Sequence, residues 1–227
     1  MPSFSTVLRV LAGSVVVVLT TTGCVVDNAA RKVVSRTDLV NRLASWIDDA
    51  YERTYAAHYQ LPGGETALIA QSKEPPRAAY DYPGGKLTIT TEAITECVTT
   101  GSRSSCTVSS PPRYANKPSV EVLRGVSKHG LVTPPVVMNL LTTAALDPDA
   151  VIDEHDTTLA TRHATCVRVT NADVPDFDTC ITTEGVLGSF TGTVDGTKVD
   201  ITLSRFDDVV DNAAFTLPPG ARIDRTV

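Results

Sequence analysis

Residues 35–61 place apolar side chains at steps of three and four: Leu39, Leu43, Trp46, Ile47, Ala50, Tyr51 and Tyr55. That spacing collects them on one face of an α-helix, with Ser35 or Thr37 as N-cap and Pro62-Gly63-Gly64 as the stop. From Glu65 the pattern shortens to runs rich in β-branched and aromatic residues, 65–71, 77–82 and 86–91, separated by Lys-Glu-Pro-Pro and Pro-Gly-Gly. Such runs predict consecutive antiparallel strands joined by tight turns. Segments 96–100 and 105–109 continue the meander, and a proline-bearing loop at 111–118 ends it.

The helical period then returns. Residues 119–130 predict a short helix ending at Gly130, which Gly125 weakens. Residues 133–146 predict a firmer one, with Thr133 as N-cap, Pro134 at the first helical position and a stripe of Val137, Leu140, Leu141 and Ala144. After the turn at 147–149, strand patterns occupy 151–160, 163–170, 177–184, 186–195 and 197–206. Asp195-Gly196 between the last two is the strongest hairpin signal in the chain, a type I′ turn. The closing stretch, 215–223, cannot be a central strand, because Pro218 and Pro219 have no N–H to donate to a ladder. Helix, strands, helices, strands predicts one α+β domain with a sizeable antiparallel sheet and helices on one face.

Ahead of this lies a run from Val10 to Leu19, apolar apart from Gly13 and Ser14 and preceded by Arg9. A basic start, a short apolar core and small residues before a cut make an export signal. A bilayer-spanning helix needs about 20 apolar residues, and this run yields to Thr20, Thr21 and Thr22 after roughly half that length. Gly23 followed by Cys24 resembles the bacterial lipoprotein signal, in which the cysteine thiol receives a diacylglyceryl group before cleavage; Thr21 stands where that motif usually has leucine. Ordinary secretion is the alternative. The expected organisation is a signal over 1–23, a lipidated tether over 24–34 beginning at Cys24, and a domain over 35–227. Two acyl chains hold a protein to a membrane stably, each buried methylene contributing about 0.8 kcal/mol.

The cysteine count agrees with lipidation. Five cysteines leave one over in an exported chain, and assigning Cys24 to lipid leaves Cys97, Cys106, Cys166 and Cys180. Four cysteines allow three connectivities; local spacing favours Cys97–Cys106 and Cys166–Cys180, since each pair brackets a turn-rich stretch. Bridges closing such loops contribute about 3 kcal/mol each on chain-entropy grounds. A zinc site is disfavoured, because the close Cys-x-x-Cys or Cys/His spacing is missing.

The chain carries a formal net charge of −6, which becomes −7 once residues 1–23, with Arg9, are removed. Such a balance gives no electrostatic footprint for nucleic acid, and membrane association falls to the anchor. About 200 residues make one domain that buries on the order of 70% of its unfolded surface. With 42% hydrophobic but only 5% aromatic residues, its core is built from valine, leucine, isoleucine and alanine.

Catalytic signals are weak. His155 and His163, with Asp153, Glu154 and Asp156, form the one acidic/histidine cluster; such a set could serve as a divalent-metal or acid-base site, but alternation along a strand favours a solvated strand and turn. His58 falls at the end of the first predicted helix, and His129 before a helix-ending glycine, where a cation suits the helix dipole. Ser189 is not a nucleophile elbow, because Leu187 and Thr191 occupy the required glycine positions. Phosphate-loop and dinucleotide fingerprints are missing. The expectation is a protein that is not an enzyme and uses no cofactor or metal.

Four pieces carry a likeness to a known family: "HATCVRV" (163–169), the Cys180 strand with its Glu184-Gly185 turn, "VDGTKVDITL" (194–203) and the closing Phe215-x-Leu-Pro-Pro-Gly-Ala. Together with the element order they resemble the exported lipoprotein-carrier fold, and within it actinobacterial envelope lipoproteins of the mycobacterial glycolipid-carrier type. The resemblance implies a single strongly curved antiparallel sheet, a half-barrel, wrapped around a few helices. It implies that the concave face holds a lipid or lipidated molecule. The stripes Leu39, Leu43, Trp46, Ile47 and Val137, Leu140, Leu141 would line that cavity, if they are not plain core. The alternative is an adaptor or sensor domain whose groove is filled and which binds another envelope protein.

Overall fold

The structure is a computed structural model that describes residues 23–112 and 118–225, with side chains from Val33 onward. The expected signal, 1–23, lies outside the described residues except for Gly23, and so does most of the loop at 111–118.

The first helix, α1, runs from Gly23 to Ala50. It therefore starts twelve residues earlier than its stripe alone predicts, and the expected tether is helical backbone. Ser35 and Thr37 lie inside it rather than capping it, and the Thr37 hydroxyl donates to the Val33 carbonyl at 2.8 Å, one turn back. The helix also ends earlier than predicted. Tyr51, Glu52 and Arg53 each close a tighter turn onto the carbonyl three residues before, and Tyr55–Gln60 forms strand β1. Tyr55 and Tyr59 satisfy a four-residue spacing and a two-residue spacing equally. With Ala57 they face the helices and are buried, and pairing of β1 on both sides, with Thr66–Ser72 and Thr197–Asp207, overrides the helical pattern.

The other strands follow the predicted order: β2 (Thr66–Ser72), β3 (Arg77–Tyr82), β4 (Gly85–Thr90), β5 (Ile94–Thr100) and β6 (Arg103–Ser109). Helices α2 (Val120–Ser127) and α3 (Pro134–Leu146) come next. Strands β7 (Val151–Leu159), β8 (Arg162–Thr170), β9 (Phe177–Thr182), β10 (Leu187–Val194), β11 (Thr197–Asp207) and β12 (Arg222–Arg225) complete the chain. The Asp195-Gly196 turn has φ of 48° and 82°, the double positive value of a type I′ hairpin.

Among the described residues the twelve strands form one open sheet in the order β12-β6-β5-β4-β3-β2-β1-β11-β10-β9-β8-β7. It is antiparallel except for β12, which lies parallel to β6 at one edge. Two meanders, β1–β6 and β7–β11, join through β1 and β11, so the domain is α+β with a mixed, largely antiparallel sheet. Both expected disulfides are formed, Cys97–Cys106 and Cys166–Cys180, each between residues directly opposite on neighbouring strands.

Helices α1, α2 and α3 cover one face of the sheet. Leu43 of α1, Leu123 of α2 and Leu141 of α3 meet Tyr59, Ile89, Phe190 and Ile201 of the strands in one continuous core. On the other face a strap, 208–221, crosses from β11 toward β12. It seats Phe215 on Ala70 and Ala79, a directly opposed pair whose small side chains leave room for the ring. The Arg77 guanidinium lies 4.0 Å above that ring and also donates to Asn212.

Candidate functional site

The residues expected to line a lipid cavity lie between the helices and the sheet. Leu39, Leu43 and Ile47 on α1 and Val137 and Leu141 on α3 are buried in the same core, and Trp46 and Leu140 are half-buried against it. A hollow bounded by Ile47, Tyr51, Tyr55, Tyr80 and Pro134 holds about 10 Å³. That is the scale of one water molecule, about 10–15 Å³, whereas ligand pockets measure about 300–1,000 Å³. In this conformation the stripes pack against protein.

The larger hollows lie on the opposite face. One, about 430 Å³, is bounded by His58 (β1), Leu68 (β2), Asp81 (β3) and Ser204 and Arg205 (β11). A second, about 420 Å³, is bounded by Lys86, Thr99 and the strap residues Ala213 and Thr216–Pro219, and the two share Asp81. The strand register explains the first. His58 pairs with Leu68, Leu68 with Asp81, and His58 with Arg205, so all four side chains stand on one face. A bulge leaves Ser204 opposite the step from His58 to Tyr59, and bulges re-aim side chains in this way.

The electrostatics at this trough are mixed. Arg205 approaches Nε2 of His58 at 2.7 Å and pairs with Asp207 at 2.9 Å, and His58 lies 3.3 Å from Asp207. Partial burial and then the Arg205 guanidinium hold the imidazole below its ordinary pKa, with Asp207 opposing. Neutral His58 accepts from Arg205. Asp81 keeps an exposed edge; desolvation pushes its carboxyl up, and Lys86, its cross-strand partner, pulls it down. Ser204 donates to the His58 carbonyl at 3.0 Å and not to the ring, so Ser204, His58 and Asp207 do not form a nucleophile and base pair. The trough thus presents charged and polar groups of both signs, Arg205, Asp207, Asp81 and Lys86, beside the His58 imidazole.

The folded state thus disfavours imidazolium at residue 58, whereas the unfolded chain protonates it near pH 6.5. Stability contributed by neutral His58 is present above that pH and lost as pH falls below it, because the unfolded state then binds more protons. His58→Asn is expected to flatten the acid side of a urea-midpoint profile below about pH 6.5. An unchanged slope would show that the ring titrates alike in both states.

The remaining histidines are placed elsewhere. His129 stacks on Tyr82 with ring centroids 4.8 Å apart. His155 and His163 lie on β7 and β8 with Asp153, Glu154 and Asp156, on a solvated edge. There Glu154 pairs with Arg42, Asp156 accepts from Thr165 at 2.9 Å, and His163 is 3.9 Å from Asp156. Among the described residues no group of three or more histidine, cysteine, aspartate or glutamate side chains is arranged to hold a metal ion. Among the described helices none is long and apolar enough to cross a membrane.

No protein-family profile matches the chain, and no curated protein does. A solved structure described as that of an uncharacterized conserved protein from Thermus thermophilus is similar, at 10% sequence identity, over 82% of this chain and 98% of that one, with a TM-score of 0.46. That likeness is too loose to carry an argument about function.

Proposed function

We propose that this is an exported lipoprotein of the cell envelope, anchored through Cys24, whose domain is a non-catalytic adaptor that binds another envelope protein on the strap-bearing face of the sheet. The observation that carries the adaptor reading is the distribution of space. The helix side holds a hollow of about 10 Å³ at Tyr51 and Tyr55, while the trough at His58, Asp81 and Arg205 opens about 430 Å³. The two formed disulfides support export to an oxidising compartment.

The carrier reading is the second. Arg162, at the start of β8, lies 4.6 Å from the Phe206 ring and reaches Asp208 at 3.8 Å. These contacts span three strand spacings and support a strongly curved, half-barrel form of the sheet, as in lipoprotein carriers. Holding a lipid on the concave face would require α1 and α3 to part from the sheet.

Labelling with radioactive palmitate in the native host tests the anchor. The wild-type chain is expected to take up label and sediment with membranes, and Cys24→Ser to do neither. Label persisting in Cys24→Ser would overturn the anchor.

A further inference from the structure

Three of the exposed large apolar residues come together at one end of the domain: Val33 on α1, Leu146 at the end of α3 and Val151 at the start of β7. Leu146 is 70% exposed and Val151 41%. Arg36 ties them together. One turn after Val33, its guanidinium donates to the carbonyl of Asp147 at 2.9 Å and to that of Ala150. The neighbours of those two carbonyls, Leu146 and Val151, are thereby held on the side of α1 that Val33, one turn before Arg36, borders. The loop is fixed further by Asp147, whose carboxylate accepts from the backbone N–H groups of Asp149 and Asp173 at 2.9 and 2.7 Å.

We infer that this apolar end is a second membrane contact that rests on the bilayer interface beside the anchor. The inference depends on the reading of Cys24 as lipidated. The occupant follows from the path of the chain. Helix α1 continues unbroken from Val33 back to Gly23, beside Cys24. At 1.5 Å per residue, the nine steps from Cys24 to Val33 span about 14 Å, so this end of the domain stays close to the acyl chains. A single helix leaves no flexible linker to carry the domain away, and a tilted α1 lays Val33, Leu146 and Val151 on the lipid surface. Asp147 and Asp149 border the patch and Arg31 and Lys32 precede it in the chain, so charges of both signs flank it along the sequence and the contact rests on apolar burial.

The test uses the full lipidated protein in vesicles of phosphatidylcholine with brominated acyl chains. In a Trp46→Phe background, which removes the native tryptophan, Leu146→Trp is expected to shift its emission to the blue and lose most of it to bromine quenching. Val98→Trp, exposed near the other edge of the sheet, keeps its emission. Vesicle-bound protein whose Leu146→Trp indole is unquenched overturns this inference and leaves the anchor standing. Protein that fails to float with vesicles overturns the anchor and this inference together. If Trp46→Phe does not fold, hydrogen exchange of the unsubstituted protein decides. Amides 146–151 are expected to slow on vesicles relative to soluble Cys24→Ser, and equal rates overturn the contact.

Discussion

Gly185→Ala is expected to destabilise the domain by about 2–5 kcal/mol, the sum of a left-handed residue and a forced displacement of packed backbone. Gly185 sits in the turn between β9 and β10 at φ 79°, a conformation that costs roughly 1–2 kcal/mol for a residue with a Cβ. A Cβ there would stand 1.8 Å from the Trp46 carbonyl oxygen and 2.4 Å from its carbon. Neither atom belongs to a flexible side chain, so α1 or the turn must move. Gly196 separates the two contributions. Its φ is 82°, but a Cβ there meets nothing within 4 Å, so Gly196→Ala should lose only the conformational part, about 1 kcal/mol. Urea unfolding of both variants reads the difference. Equal losses would show that the approach of the turn to α1 is not tight in solution.

Leu43→Ala is expected to lower stability by about 2–5 kcal/mol, the range for removing a buried leucine that leaves a cavity. Leu43 is fully buried between α1 and the sheet, as Leu141 nearly is on α3. The same substitution tells the two functional readings apart. A leucine facing an open lipid cavity has few partner atoms on that side, and shortening it costs little. A loss well below about 1 kcal/mol, with an unchanged urea slope, would mean that the helices stand away from the sheet and that the space between them is open.

Much of the fold is legible in the sequence because its signals are local. The turn Asp195-Gly196 fixes the register of β10 on β11, and the flanking Lys-Glu-Pro-Pro and Pro-Gly-Gly breaks bound 77–82, the residues of β3. Both disulfides follow from spacing because each joins neighbouring strands. The first helix is misjudged at both ends for different reasons. Neither Gly nor Pro lies between Cys24 and Ser35, so nothing in the chain obliges the helix to wait for the stripe that begins at Leu39. At the other end, Tyr51, Tyr55 and Tyr59 keep a helical interval although the last two belong to a strand, and a pairing partner almost 150 residues away decides the matter.

The outer trough is illegible for the same reason. His58 and Arg205 meet only because β1 pairs with β11, and the bulge at Ser204 has no signature in a run that alternates well on either side. The stripes on α1 and α3 show a different limit. A helical stripe says that a face is covered, and Leu43 and Val137 are covered. Whether side chains or a ligand do the covering depends on volumes contributed by Tyr59, Ile89 and Phe190 from distant strands.

We propose an envelope lipoprotein anchored at Cys24 whose interior is filled by its own side chains. Native mass spectrometry of the protein extracted from its own membrane in mild detergent tests it most directly. The account predicts a chain that starts at Cys24, carries a diacylglyceryl modification and two disulfides, and holds no further lipid. A chain unmodified at Cys24, or one with an additional lipid bound in stoichiometric amount, would contradict it.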